Sequence, residues 1–515
     1  MEIFTFGAAS GPLAKWPAST QAKYLRRYLS ELGAAHVLVE NEYFDRDFLS
    51  EFVAYYGSSA KGYSNRCKRL HFFTSCALDR RKLRLAVGGS PRVRKALQDA
   101  YLGFVVIRPL PGAPFGRTVL KWYPNGGGGR PPRVLESTRS YECHVAGMPL
   151  SVDGLAWQQQ DTGVGACATI ALWSMLHSSA YDDHHAIPTT ADITRSANRT
   201  AALGSRVFPS LGLRVEQLCE AVKENSLAPI LAQGTAALNG RPAFGRDQFA
   251  INAASLLRSG YPVLIMGALF NRATHQLVGF HAVCAVGFRD SAMQSPAPGS
   301  LVVQDSSVQY YYIHDDNIGP SVRFETAQFG AGGQQVLALV PSTPPPQDPN
   351  NPLPDNTADY PYLVPERILA AVHNDVRVSP ETLSKSSLKY VNGLLGGLQS
   401  ALLAQGQAGF GFSIGWHLMK VSQYLDTGLG NVLGGDAKAL ARVRLELVEF
   451  VSPMSLHVGV ARVWAAGVPA FDLVMDTTDS HKLPPVFCLV AYSPFVASVA
   501  AQIGDPLLGR VVAAR

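Results

Sequence analysis

Charge is scarce in this chain. Only 16% of its 515 residues are charged, and 45 basic against 39 acidic side chains leave a net +6. With 47% hydrophobic residues, such a chain has ample material for cores and is not a disordered or heavily solvated polypeptide. Long basic runs are missing too. Arg80-Arg81-Lys82 is short, and the stretch from Lys15 to Arg27 is broken by apolar residues, so no nucleic-acid partner is expected. Cysteine is limited to seven widely spaced residues (67, 76, 143, 167, 219, 284 and 488) with no CxxC pair. That spacing excludes a zinc ribbon and a disulfide scaffold, and it fits a reducing compartment. No GxxxxGK[ST] and no strand-linked GxGxxG occurs, which leaves a nucleotide site without support. The opening MEIFTFGAASGPLAKW has no basic region followed by a long apolar one, as a signal peptide would. The most apolar late stretch, 486 to 503, is interrupted by Ser493-Pro494 and is short for a membrane span. It reads as strand, turn and helix. No membrane span is expected, and a cytoplasmic location is.

What is present suggests about three domains, at roughly 150 residues each. Residues 1–145 alternate helix and strand patterns. Gln21 to Leu32 is amphipathic at helical spacing and ends at Gly33. The AHVLVE run at 35–40 reads as a buried strand, Asp45 to Tyr56 as a helix, and GFVVIRPLP at 103–111 as a strand stopped by prolines. Residues 146–340 carry the chemistry. Residues 341–365 hold nine prolines and read as an extended connector. Residues 366–515 open with helical patterns, which glycine clusters at 393–397 and 428–435 are expected to interrupt. They close with strand-like runs at 441–450 and 471–479. No internal repeat or heptad pattern is visible. The fold class expected is α+β, with a central core and N- and C-terminal α/β segments packed on it.

The informative stretch runs from Gln158 to Trp173 (QQQDTGVGACATIALW). A loop of small residues delivers Cys167 to the first turn of an apolar helix. Unpaired backbone N–H groups at a helix start favour a thiolate, and a free cysteine with a pKa of roughly 8.5 needs such help near neutral pH. Gln160 lies seven residues upstream, where its amide could donate to a developing oxyanion beside the Cys167 N–H; Gln159 is its rival for that role. A buried structural cysteine is the bland alternative. His281 then opens an apolar strand pattern (GFHAVCAVGF, 279–288) after a GYPV strand at 260–263. A Cys–His pair needs its members on separate elements, which this arrangement allows. An imidazole used as a base also needs an acceptor on its far nitrogen. Asp305, in LVVQDSS, and Asp315, at the end of the aromatic run YYYIHD, are both candidates. Strand geometry favours Asp315. The run Val308 to His314 is long enough to lie antiparallel to the His281 strand, whereas Asp305 follows a short LVV run that turns at once.

The order of Gln, Cys at a helix start, GYPV strand, His at the start of HAVxxVGF and then strand-Asp resembles the papain-like cysteine peptidases. The bacterial branch that processes bacteriocin leaders is the closest. The resemblance covers about 155–325. It implies a papain-like core, Cys167 as nucleophile, His281 as general base, Asp315 as its orienter and Gln160 as oxyanion donor. It also implies a peptide or protein substrate and no metal or organic cofactor. In that family Gln stands six residues before Cys; here that position is Asp161. Acyl transfer or deamidation by the same triad, or a silent binding scaffold, are the competing expectations.

Three weaker constellations remain. Asp182-Asp183-His184-His185 has metal-ligand residue types but reads as a solvated loop. Asp476 to His481 (DTTDSH) holds Ser, His and Asp without a strained GxSxG turn and reads as a strand exit. Arg66, Arg69, Arg80 and Arg81 with His71, Phe72 and Phe73 form a basic-aromatic patch, expected to be a mixed solvated face.

Overall fold

The computed structural model describes residues 1–75, 78–124, 130–181, 186–199, 207–290, 296–330, 335–342, 360–450, 454–478, 486–503 and 510–514. The chain is α+β, as its patterns predict, and its sheets are mostly antiparallel. The first sheet is a five-stranded meander of Glu2–Thr5, His36–Tyr43, Cys67–Phe73, Tyr101–Ile107 and Phe115–Leu120, every neighbour antiparallel. Helix Thr20–Glu31 packs its Ala22, Leu25 and Leu29 face into this segment's core, and Ser19 caps it. The basic-aromatic patch divides: Arg66, Arg80 and Arg81 are exposed, as a solvated face would be, while the rest is interior. Arg69, His71, Phe72 and Phe73 are buried, and Arg69 pairs with Glu40 at 2.6 Å. Alternation along a strand with both faces covered turns these side chains inward.

The central sheet closes on itself. Strands Val263–Phe270, Leu277–Arg289, Tyr310–Asp315, Gly319–Phe329, Val336–Pro341 and Tyr362–His373 pair in that order, and the last pairs back with the first. Strand Leu227–Gln233 extends the sheet from the far half of Tyr362–His373. This last long strand therefore begins inside the Pro-rich 341–365 stretch, with Tyr362, Leu363 and Val364 buried in it. The chain passes position 145/146 in a tight turn. Ala146 and Gly147 both have positive φ (48° and 78°) and join Arg139–Val145 to Met148–Gly154 as a hairpin. Helix Cys167–Leu176 is buried all round from residue 168 onward and packs against the His281 strand, which explains why it is apolar on every face.

The C-terminal sheet holds Leu301–Val303, Phe412–Lys420, His457–Ala465, Val468–Asp476, Val486–Ala491 and Arg510–Ala513. Two expectations fail here. Residues 441–450 are not a strand but belong to helix Ala437–Phe450, whose buried Val443 and Leu447 sit one turn apart. The glycines at 393–397 do not interrupt their helix, which runs unbroken from Pro380 to Ala404. A Cβ at Gly397 would stand 2.8 Å from Ile503, so this glycine lets helix Pro494–Ile503 approach closely. Among the described residues no helix is long and apolar enough to cross a membrane.

Candidate active site

Cys167 is the first residue of its helix and is half-buried. The residue before it, Ala166, offers no side-chain cap, so the first-turn N–H groups face the site without one. The preceding loop is held by one carboxylate. Asp161 Oδ1 accepts from the N–H groups of Gly163 and Val164, both at 2.7 Å, and its Oδ2 accepts from Gly165 at 3.2 Å. The glycines are required by closeness: a Cβ at Gly163 would lie 2.5 Å from the Tyr55 ring, and one at Gly165 2.9 Å from Ile170. Position 161 is thus a loop clamp, which is why an acid stands there.

Behind the clamp lies a buried charge network that the sequence did not reveal. Arg108 places Nη1 3.0 Å from Glu51 and 3.5 Å from Asp161, while its Nη2 donates to the Gln159 carbonyl at 2.9 Å. Glu51 also accepts from Gln158 (2.6 Å) and Thr190 (2.7 Å). Burial pushes the Glu51 carboxyl up to about 7, against the pull of Arg108. The N-terminal segment therefore supplies the footing of the cysteine loop.

His281 is buried and lies on the strand opposite the Cys167 helix. The Cys167 side chain is one of the groups that act on its ring. Nε2 lies 3.1 Å from Asp315 Oδ1, 3.5 Å from Asp316 Oδ1 and 3.3 Å from the Asn317 amide. Burial alone would depress the imidazolium, but Asp315, Asp316 and the thiol together hold its pKa well above the usual histidine value. Burial, with Asp315 adding to it, pushes the Asp316 carboxyl up to about 7, against the attraction of His281.

The strand carrying Asp315 pairs antiparallel with the His281 strand, Cys284 opposite His314. Its final turn is pinned from outside the central sheet. Trp157 Nε1 donates to the Asp315 carbonyl (3.0 Å), Gln21 Nε2 to the Asp316 carbonyl (3.1 Å), and Tyr24 OH to the Pro320 carbonyl (2.9 Å). A Cβ at Gly319 would collide with the Tyr24 ring at 2.2 Å, so only glycine admits helix Thr20–Glu31 this close.

The structure brings Cys167, His281 and Asp315 together. Gln160 joins them through Asn317, to whose Oδ1 it donates at 2.8 Å. Gln159 is turned away, its Oε1 accepting from the Phe115 N–H at 3.3 Å. Asp305 stands apart, in a one-turn helix and 2.5 Å from Arg258 Nη2. Asp316 and Asn317 were missed, although the run Asp315-Asp316-Asn317 after an aromatic strand was the available signal. Asp182 to His185 and Asp479 to His481 lie outside the described residues. Asp476 accepts from the Thr478 N–H at 2.9 Å, a turn of the strand-exit kind. Compared with known proteins, the chain matches no family model, no curated protein and no solved structure.

Proposed function

We propose that the chain is a papain-like cysteine peptidase acting on an amide bond of a peptide or protein. One observation carries the reading: a thiol at an uncapped helix start acts on a buried imidazole whose Nε2 lies 3.1 Å from a carboxylate oxygen. The closed antiparallel sheet beside a buried helix supports the same reading. Asp315 directs the ring and favours its protonated form, so a proton leaving Cys167 is retained on His281. The thiolate attacks the carbonyl carbon. The oxyanion forms beside the Cys167 N–H and the Gln160 amide, which gives up its bond to Asn317. The imidazolium protonates the leaving amine, and water activated by the neutral imidazole resolves the thioester.

Iodoacetamide labelling with peptide mapping tests this. Cys167 should alkylate at least tenfold faster than any of the other six cysteines, and His281→Ala should abolish that advantage. The wild type should cleave members of a quenched-fluorescent peptide library, and Cys167→Ala should not. Turnover by purified Cys167→Ala refutes the assignment. Fast labelling without any turnover points to a silent scaffold instead.

A further inference from the structure

Three donor atoms converge on the far side of the His281 ring. One atom each from His281, Asp315 and Asp316 lie within 4.8 Å of one another, and all three residues are buried. The two nitrogen-to-oxygen spacings, 3.1 and 3.5 Å, lie close to the edge of a tetrahedron with bonds of about 2.0–2.2 Å, which is about 3.3–3.6 Å. A second, independent observation is the other oxygen of Asp316. Asp316 is 2% exposed, and its Oδ2 has no hydrogen-bond partner among the described residues. A buried carboxylate oxygen left this way is costly unless something positive meets it. Imidazole with carboxylates is a donor set suited to zinc. Asn317 is exposed and Gln160 half-buried, so the cluster has an open side for entry.

We propose that His281, Asp315 and Asp316 form a site for a divalent cation of the zinc class, and that filling it switches off the thiol. Binding at Nε2 releases that atom's proton to solvent. The ring then keeps its one hydrogen on Nδ1 and has no lone pair left to take the thiol proton. Only the switching half rests on the peptidase reading; the binding half does not.

Zinc chloride is titrated calorimetrically into the full, untagged chain. A His184→Ala/His185→Ala background removes the other run of metal-ligand residue types. One equivalent should bind. Cys167→Ala should bind within threefold of its parent, and Asp316→Asn at least tenfold more weakly. No saturable binding, equal affinity in Asp316→Asn, or loss of binding in Cys167→Ala overturns the site. Thermal unfolding checks that Asp316→Asn is folded. If it is not, cobalt(II) absorption of the parent decides. Tetrahedral bands without a thiolate charge-transfer band support the site, and such a charge-transfer band overturns it. Zinc should also slow Cys167 alkylation at least tenfold in the parent and much less in Asp316→Asn. Stoichiometric binding with unchanged alkylation overturns the switch. A metal-free parent that cleaves no peptide refutes the peptidase reading and leaves the zinc result standing.

Discussion

Two clusters in the central segment share one composition, a basic side chain between two aspartates, and differ in what they can do. Arg258 lies between Asp290 (3.0 Å) and Asp305 (2.5 Å), its guanidinium 4.9 Å from the Phe288 ring centroid. His281 lies between Asp315 (3.1 Å) and Asp316 (3.5 Å). A guanidinium keeps its charge at any ordinary pH, so the first cluster is a fixed clamp. An imidazole can take up and give back a proton, and this one has the Cys167 side chain among the groups that act on it. Two carboxylates around a base are therefore not in themselves a site. Titratability and an adjacent nucleophile distinguish the two.

The largest effect should come from exchanging the two orienter candidates. Asp315→Ala should lower peptide cleavage by roughly three to four orders of magnitude with the protein still folded, since the imidazole loses its acceptor. Asp305→Ala should leave the rate within a few-fold and lower the thermal midpoint instead. Steady-state rates beside melting curves check both, and the opposite pattern would exchange their roles. Next in size, Gln160→Ala should cost about 10² in kcat if its amide meets the oxyanion, with KM little changed. A change confined to KM would make Gln160 a substrate contact. Arg258→Met should destabilise the fold by about 3 kcal/mol, because it strands two carboxylates of which Asp305 is buried. Denaturant titration measures this, and the Cys167 alkylation rate of the folded fraction should not change.

The smallest effect concerns Glu51. Its folded carboxyl titrates near 7, above the roughly 4.3 of an unfolded chain. The folded state therefore holds a proton that the unfolded state releases between these values. The stability this gives is complete below about 4.3 and is lost as pH rises through about 7. Glu51→Gln removes the dependence. The wild type should thus lose ground relative to Glu51→Gln between pH 5 and pH 8, as read from denaturant midpoints. A gap that stays constant with pH would place the Glu51 titration elsewhere.

Much of the site was legible because its signals are local. A small-residue loop before an apolar helix marks Cys167, and an unbroken apolar strand marks His281. An aromatic run of strand length places Asp315 on a neighbouring strand rather than Asp305. Other features were misread where two periodicities overlap. Residues 441–450 alternate like a strand yet bury Val443 and Leu447 one helical turn apart.

By itself, the sequence determined the α+β class and the residue types able to form a thiol–imidazole–carboxylate set, because periodicity and loop composition act over a few residues. Only the tertiary structure decided what surrounds them. Arg108 reaches Glu51 across 57 positions and Asp161 across 53, and Gln21 holds the Asp316 carbonyl across 295. No local pattern encodes such pairings. They form because a charge or carbonyl removed from water must meet a partner wherever the packed sheets and helices bring one.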